Sequence, residues 1–188
     1  MLRGFILGII VTLAAAALIG YIGVTQGLLI PANADAKPGK LETWAARQSL
    51  HATLRREAPK ADNPLALNDK NLLDGIKLYG DNCIVCHGAA DGKPSTIAAG
   101  LYQNAPQLGK DGVEDDPDGV TYWKLYHGIR LTGMPAFGPA LSQDQLWALT
   151  LFLKHMDKLP PVADSAWKKL KNPAPPAPAD EHQKKGGQ

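Results

Sequence analysis

Cysteine is nearly absent: two in 188 residues, at positions 83 and 86. Two thiols exclude a disulfide framework, and with only scattered histidines beside them they supply a closed four-ligand zinc site poorly. Net charge is small as well, +2 from twenty basic and eighteen acidic residues, with no long basic run. That balance argues against a nucleic-acid partner. Strand patterns are missing: nowhere does strict apolar/polar alternation compete with helical spacing. Between Phe5 and Val24 there is no charged residue at all.

That uncharged run is the first positive feature. About 20 apolar residues at ~1.5 Å rise each span a ~30 Å hydrocarbon core. Leu, Ile, Val and Ala dominate it, and no polar face breaks it. Residues 1–30 therefore read as a transmembrane anchor. A cleaved signal peptide is the alternative, because Ala32-Asn33-Ala34 and Ala34-Asp35-Ala36 offer small-x-small sites. Either way the rest of the chain leaves the cytoplasm. Basic flanks point the other way, with Arg3 on the short side and Lys37, Lys40 and Arg47 on the long one. The positive-inside rule weakens for long translocated domains, and the chemistry at the cysteines outweighs it.

Residues 31–68 read as a spacer flanked by prolines, with a surface helix from Lys40 to Glu57 carrying Trp44, either at lipid headgroups or in solvent. Residues 172–188 begin with a Pro/Ala-rich stretch, continue polar and charged, and read as a disordered tail. The globular part is 69–171.

Four helices are expected there. The first runs from Asp69 to Asp81, capped by Asn68 or Asp69, with Leu72, Ile76, Tyr79 and Cys83 on its buried face. The second covers about Gly119 to His127, with Val120, Trp123 and Tyr126 on one face and Gly128 closing it. The third starts at Ser142 with Gln145 as its capping-box partner, and Leu146, Leu149 and Leu153 form its stripe. A short fourth spans Asp164 to Lys171. Turn-forming residues fill the interval from Gly88 to Asp118. The fold class is a small all-α domain with long loops.

The decisive string is Cys83-Ile84-Val85-Cys86-His87. It reads C-x-x-C-H, the attachment pattern of a c-type haem. Two thiols three apart on a helical turn can each add to one vinyl group of a single porphyrin, and the next residue presents an imidazole to its iron. A thioredoxin-type redox pair is the rival, but that motif follows a strand, and here a helix precedes it. One covalent haem also supplies the core that so small a domain lacks.

Iron needs a sixth ligand or an open site. Met134, Met156, His51, His127, His155 and His182 are the candidates. Met134 stands in Gly133-Met134-Pro135, a loop between helices, free of the helical stripe that core methionines usually join. It is the expected distal ligand; Met156, at the end of the third helix, is expected in the core.

The stretch from Leu72 to Leu159 resembles the class I cytochrome c family. It shares Gly75 and Tyr79 ahead of the attachment motif, the Gly133-Met134-Pro135 loop, and a final helix with an aromatic at Trp147. The resemblance implies first and last helices crossed at Gly75, with Tyr79 and Trp147 as aromatic partners. It implies a loop proline, Pro106, whose carbonyl accepts a hydrogen bond from His87 and strengthens its donation to iron. Trp123 is expected on the haem or its propionates. Arg130 is a candidate propionate partner, with a solvated arginine as the alternative.

A six-coordinate iron held by His87 and Met134 has no vacant position for a substrate. The expected function is single-electron transfer between redox protein partners, not an enzyme acting on a small molecule. The family resemblance implies the periplasmic face of a bacterial inner membrane. Two alternatives stand: a haem-bearing subunit of a membrane dehydrogenase or oxidase complex, and a ligand-binding haem sensor or enzyme.

Overall fold

The computed structural model describes residues 2–28 and 32–173; the tail expected from 172 lies almost wholly outside them. The chain divides into two units, Met1–Ala36 and Lys37–Gln188. Helices are the only regular elements among the described residues.

The first unit is one helix, α1, Leu2–Thr25. Its apolar side chains are exposed all round, Leu2, Phe5, Leu13 and Ile19 among them. Its two threonine hydroxyls are satisfied within the helix, Thr12 donating to Gly8 O and Thr25 to Tyr21 O, both at 2.9 Å. Internal satisfaction of polar groups suits a helix without water around it. Among the described residues α1 alone is long and apolar enough to cross a membrane, with mean hydropathy 2.5.

The second unit begins with α2, Lys40–Glu57, which buries no residue and leaves Trp44 61% exposed. The chain then crosses the domain at Asn63. Its N–H donates to Asp118 Oδ2 and its Nδ2 to Trp147 O, each at 2.9 Å. The core is built by α3, Asp69–Asn82, packed across α8, Gln143–His155, with α9, Pro161–Lys169, against α3. Asn68 caps α3 by accepting from Asn71 N at 2.9 Å. Ser142 and Gln145 cap α8 reciprocally, as their spacing predicts.

Gly75 sits at the crossing. A Cβ there would meet the Ala148 carbonyl and come within 2.8 Å of Phe152 Cβ, so only glycine lets the helices approach this closely. Tyr79 packs edge-on against Phe152 (5.5 Å) and Trp167 (5.1 Å). Trp147 is not its partner. It lies about 140° round α8 from Phe152, given ~100° per residue, and stacks instead on Tyr122 at 4.2 Å. Met156 is buried, as expected.

The helix α7, Asp118–His127, also turns a different face inward from the one its large residues suggest. Gly119, Thr121 and Leu125 are buried, whereas Tyr126 is exposed. Thr121 and Leu125 lie about 40° apart on one face, whereas Gly119 lies about 200° from Thr121, where Pro59 packs so closely that a Cβ would collide with it. Three four-residue turns, α4 (Ile84–His87), α5 (Thr96–Ala99) and α6 (Leu108–Asp111), punctuate the long connection between α3 and α7.

Candidate haem site

Cys83 ends α3 and opens α4. Its carbonyl accepts from Cys86 N at 3.1 Å and from His87 N at 2.9 Å. This turn puts Cys83, Cys86 and His87 along one wall of a mainly apolar cavity. Gly88 then reverses the chain at φ +73°, a conformation that favours glycine. Leu125 of α7, Leu153 of α8, and Ile129, Met134, Pro135 and Phe137 of the loop between those helices also line the cavity.

His87 Nδ1 lies 2.9 Å from Pro106 O. A carbonyl can only accept, so Nδ1 carries the proton and Nε2 keeps its lone pair. Burial holds the His87 pKa below its ordinary value, against the raising effect of the Pro106 hydrogen bond, and favours this neutral imidazole. The Cys83 thiol is pushed up to about 12, chiefly by burial and then by Cys86, so it stays protonated. Tyr79 lines the same cavity, and its hydroxyl donates to Gly88 O at 2.7 Å.

The Met134 loop is held by main-chain bonds. Ile129 N donates to Met134 O at 3.2 Å, Phe137 N to Leu125 O at 3.0 Å and Gly138 N to Tyr126 O at 3.0 Å. Gly128, at φ +66°, lies so close beneath it that a Cβ would stand 2.5 Å from the Pro135 carbonyl carbon.

These residues fit a porphyrin. Two thiols and a neutral imidazole share one apolar wall, and a thioether lines the same cavity. A family model described as cytochrome C oxidase, cbb3-type, subunit III matches residues 70–153. This stretch is a c-type cytochrome domain. Such a domain implies haem c and haem-based electron transfer. No match to the sequence was found among curated proteins.

Within this cytochrome domain, Cys83, Cys86, His87, Pro106 and Met134 all line the one cavity. Trp123 and Arg130 are not among the residues that line it. The lining face of α7 carries Thr121, Lys124 and Leu125. Trp123 lies on the other side of the helix, its ring 4.7 Å from that of His127. Arg130 is exposed in the loop beyond.

The basic residue at the cavity is Lys124, which sequence reasoning missed. Its Nζ is 2.6 Å from Asp116 Oδ2, both side chains are largely shielded, and both residues line the cavity. The i, i+3, i+4 spacing of Thr121, Lys124 and Leu125 was the available signal. Lys154 was also missed. It donates to Glu114 O at 2.6 Å and Asp116 O at 2.9 Å, and so fixes the loop that carries Asp116.

Proposed function

We propose that this chain is a membrane-anchored monohaem cytochrome c that passes single electrons between redox partners on the periplasmic side of a bacterial inner membrane. One haem is attached covalently through Cys83 and Cys86, with His87 as proximal and Met134 as distal ligand of the iron. The observation that supports this best is the convergence of those four side chains on one apolar cavity, with His87 Nδ1 engaged by Pro106 O. That contact leaves Nε2 as the ligating nitrogen.

Bound there, the haem supplies a one-electron couple. The protein's part would be to offer His87 and Met134 as ligands with little rearrangement between oxidation states, while Leu101, Leu125, Ile129, Phe137 and Leu153 would shield the iron from water. Thioether ligation raises the potential relative to a second imidazole. The uncleaved α1 keeps the domain beside membrane partners and raises their effective concentration.

The optical spectrum of the full-length protein, oxidised and reduced, tests this reading. A low-spin c-type spectrum with a methionine-to-iron charge-transfer band, unmoved by carbon monoxide at neutral pH, is expected. A high-spin spectrum, or immediate carbon monoxide binding, overturns the carrier reading in favour of a sensor or enzyme. The family match favours a second reading of the same chemistry, a permanent haem-bearing subunit of an oxidase. Mild solubilisation separates the two: a lone monomer indicates the free carrier, and co-purifying oxidase subunits indicate the complex.

A further inference from the structure

The attachment turn and the loop bearing Pro106 are joined by one side chain, that of Gln107. Its Nε2 lies 3.1 Å from Cys86 O and 3.0 Å from Ala105 O. Both neighbours are carbonyl oxygens, so the amide nitrogen faces them and donates to both. One carbonyl belongs to the residue before His87, the other to the residue before Pro106. The side chain therefore bridges the two backbone segments that carry the His87–Pro106 hydrogen bond.

The Gln107 backbone is itself fixed. Its carbonyl accepts from Lys110 N and Asp111 N at 2.8 Å each, which starts α6, and its N–H donates to Asp111 Oδ2 at 3.1 Å. The turn α6 is in turn pressed against the chain after the attachment motif, where a Cβ at Gly109 would stand 2.7 Å from Ala89 O. The bridge is thus anchored at both ends.

It also leaves an orphan. Gln107 Oε1 is buried without a hydrogen-bond partner, facing Gly88, where a Cβ would come within 2.5 Å of it. A buried unpaired acceptor is disfavoured, and an apolar side chain of similar volume would avoid it. The two bonds donated by Nε2, about 1 kcal/mol each, and the cost of the orphan, about 1–3 kcal/mol, roughly cancel, so stability gains little from an amide at this position.

We propose that Gln107 is a positioning residue for the proximal ligand, holding Pro106 O against His87 Nδ1 and thereby setting how strongly His87 donates to iron; this rests on His87 being the proximal ligand. When the bridge is removed, the Pro106 carbonyl drifts and the imidazole loses imidazolate character. The ferric state is then less stabilised, and the potential rises.

The test uses the full-length holoprotein with Gln107→Leu, which keeps volume and removes the orphan, and Gln107→Ala. Three measurements are made: exchange of the His87 Nδ1 proton by NMR of the reduced protein, the reduction potential, and the unfolding midpoint. Both variants are expected to speed proton exchange about tenfold, the scale of a lost hydrogen bond. Both are expected to shift the ferric/ferrous balance about threefold toward the reduced form, about 28 mV for a one-electron couple. Gln107→Leu should do this with an unfolding midpoint close to that of the parent. If exchange and potential stay at the parent values in Gln107→Leu, the inference is overturned while His87 ligation stands. The ligation reading fails separately, if His87→Ala retains the parent's low-spin spectrum.

Discussion

The two walls of the cavity are held by different means. On the His87 side, side chains from 9 to 83 residues away fasten the backbone. Tyr79 donates to Gly88 O, Ser95 to Val85 O and Gln107 to Cys86 O, while Asn172 accepts from Ala89 N and donates to Lys93 O. On the Met134 side the restraints are main-chain bonds within 125–141, with Thr132 the side chain that helps locally. That loop also contains Leu131, 85% exposed at φ +61°. A wall fastened by many distant side chains resists movement, whereas a loop held by its own backbone opens locally at lower cost. Under the proposed ligation, His87 is the more firmly held ligand and Met134 the more readily displaced one.

The largest effect comes from breaking both walls together. The crossing of α3 over α8 sets the position of each, since α3 leads into Cys83 and α8 follows the Met134 loop. Gly75→Leu puts a side chain into the Ala148 backbone, which cannot yield as a side chain would. A loss of about 3 kcal/mol or more is expected, at the upper end for overpacking and a large share of a typical domain's stability. Thermal or denaturant unfolding of the haem-loaded variant measures it. A change below about 1 kcal/mol would show that the helices can separate without cost, and the shared crossing would explain neither wall.

Removing each proposed ligand then sharpens the contrast. His87→Ala should abolish the normal low-spin spectrum, because no second imidazole lines the cavity among the described residues. Met134→Ala should leave the haem attached and the proximal side intact, but open the sixth position to carbon monoxide and lower the potential. Optical spectra with and without carbon monoxide, and a redox titration, measure both. If Met134→Ala left spectrum and potential unchanged, another residue would be the distal ligand and the contrast between the walls would fail.

The proximal wall was also the more legible in the sequence, though only in part. C-x-x-C-H is a local pattern, and helix α3, its Asn68 cap and the Ser142–Gln145 box are local too, so all could be read directly. Gly75 and Pro106 came only from the family resemblance, since close approach and a carbonyl contact 19 residues away leave no periodic trace. Trp123 and Arg130 were assigned by residue type, whereas the face of α7 that lines the cavity carries Thr121, Lys124 and Leu125. Tyr126 is exposed, and Trp147 stacks on Tyr122 instead of joining Tyr79. Gln107, Asn63 and Lys154 were missed because their bonds reach 21, 84 and 38–40 residues along the chain.

The smallest effect isolates one fastening of the proximal wall. Tyr79→Phe keeps the ring against Phe152 and Trp167 but leaves the buried Gly88 without the hydroxyl that donates to its carbonyl. A loss of about 1 kcal/mol is expected at neutral pH. Burial raises the phenol above its ordinary value of 10.0, and repulsion from Cys83 would add to this only were that thiol ionised. The folded protein therefore keeps this proton where the unfolded chain releases it. Its contribution is fully present below about pH 10, and above that it falls by up to about 1.4 kcal/mol per pH unit until the phenol ionises in the folded state. Tyr79→Phe should remove that slope as well as the neutral-pH increment. Denaturant unfolding of parent and variant at pH 7 and pH 10.5 reads both. An equal offset at the two pH values would mean that Tyr79 ionises freely when folded, and that its bond to Gly88 does not fasten the wall.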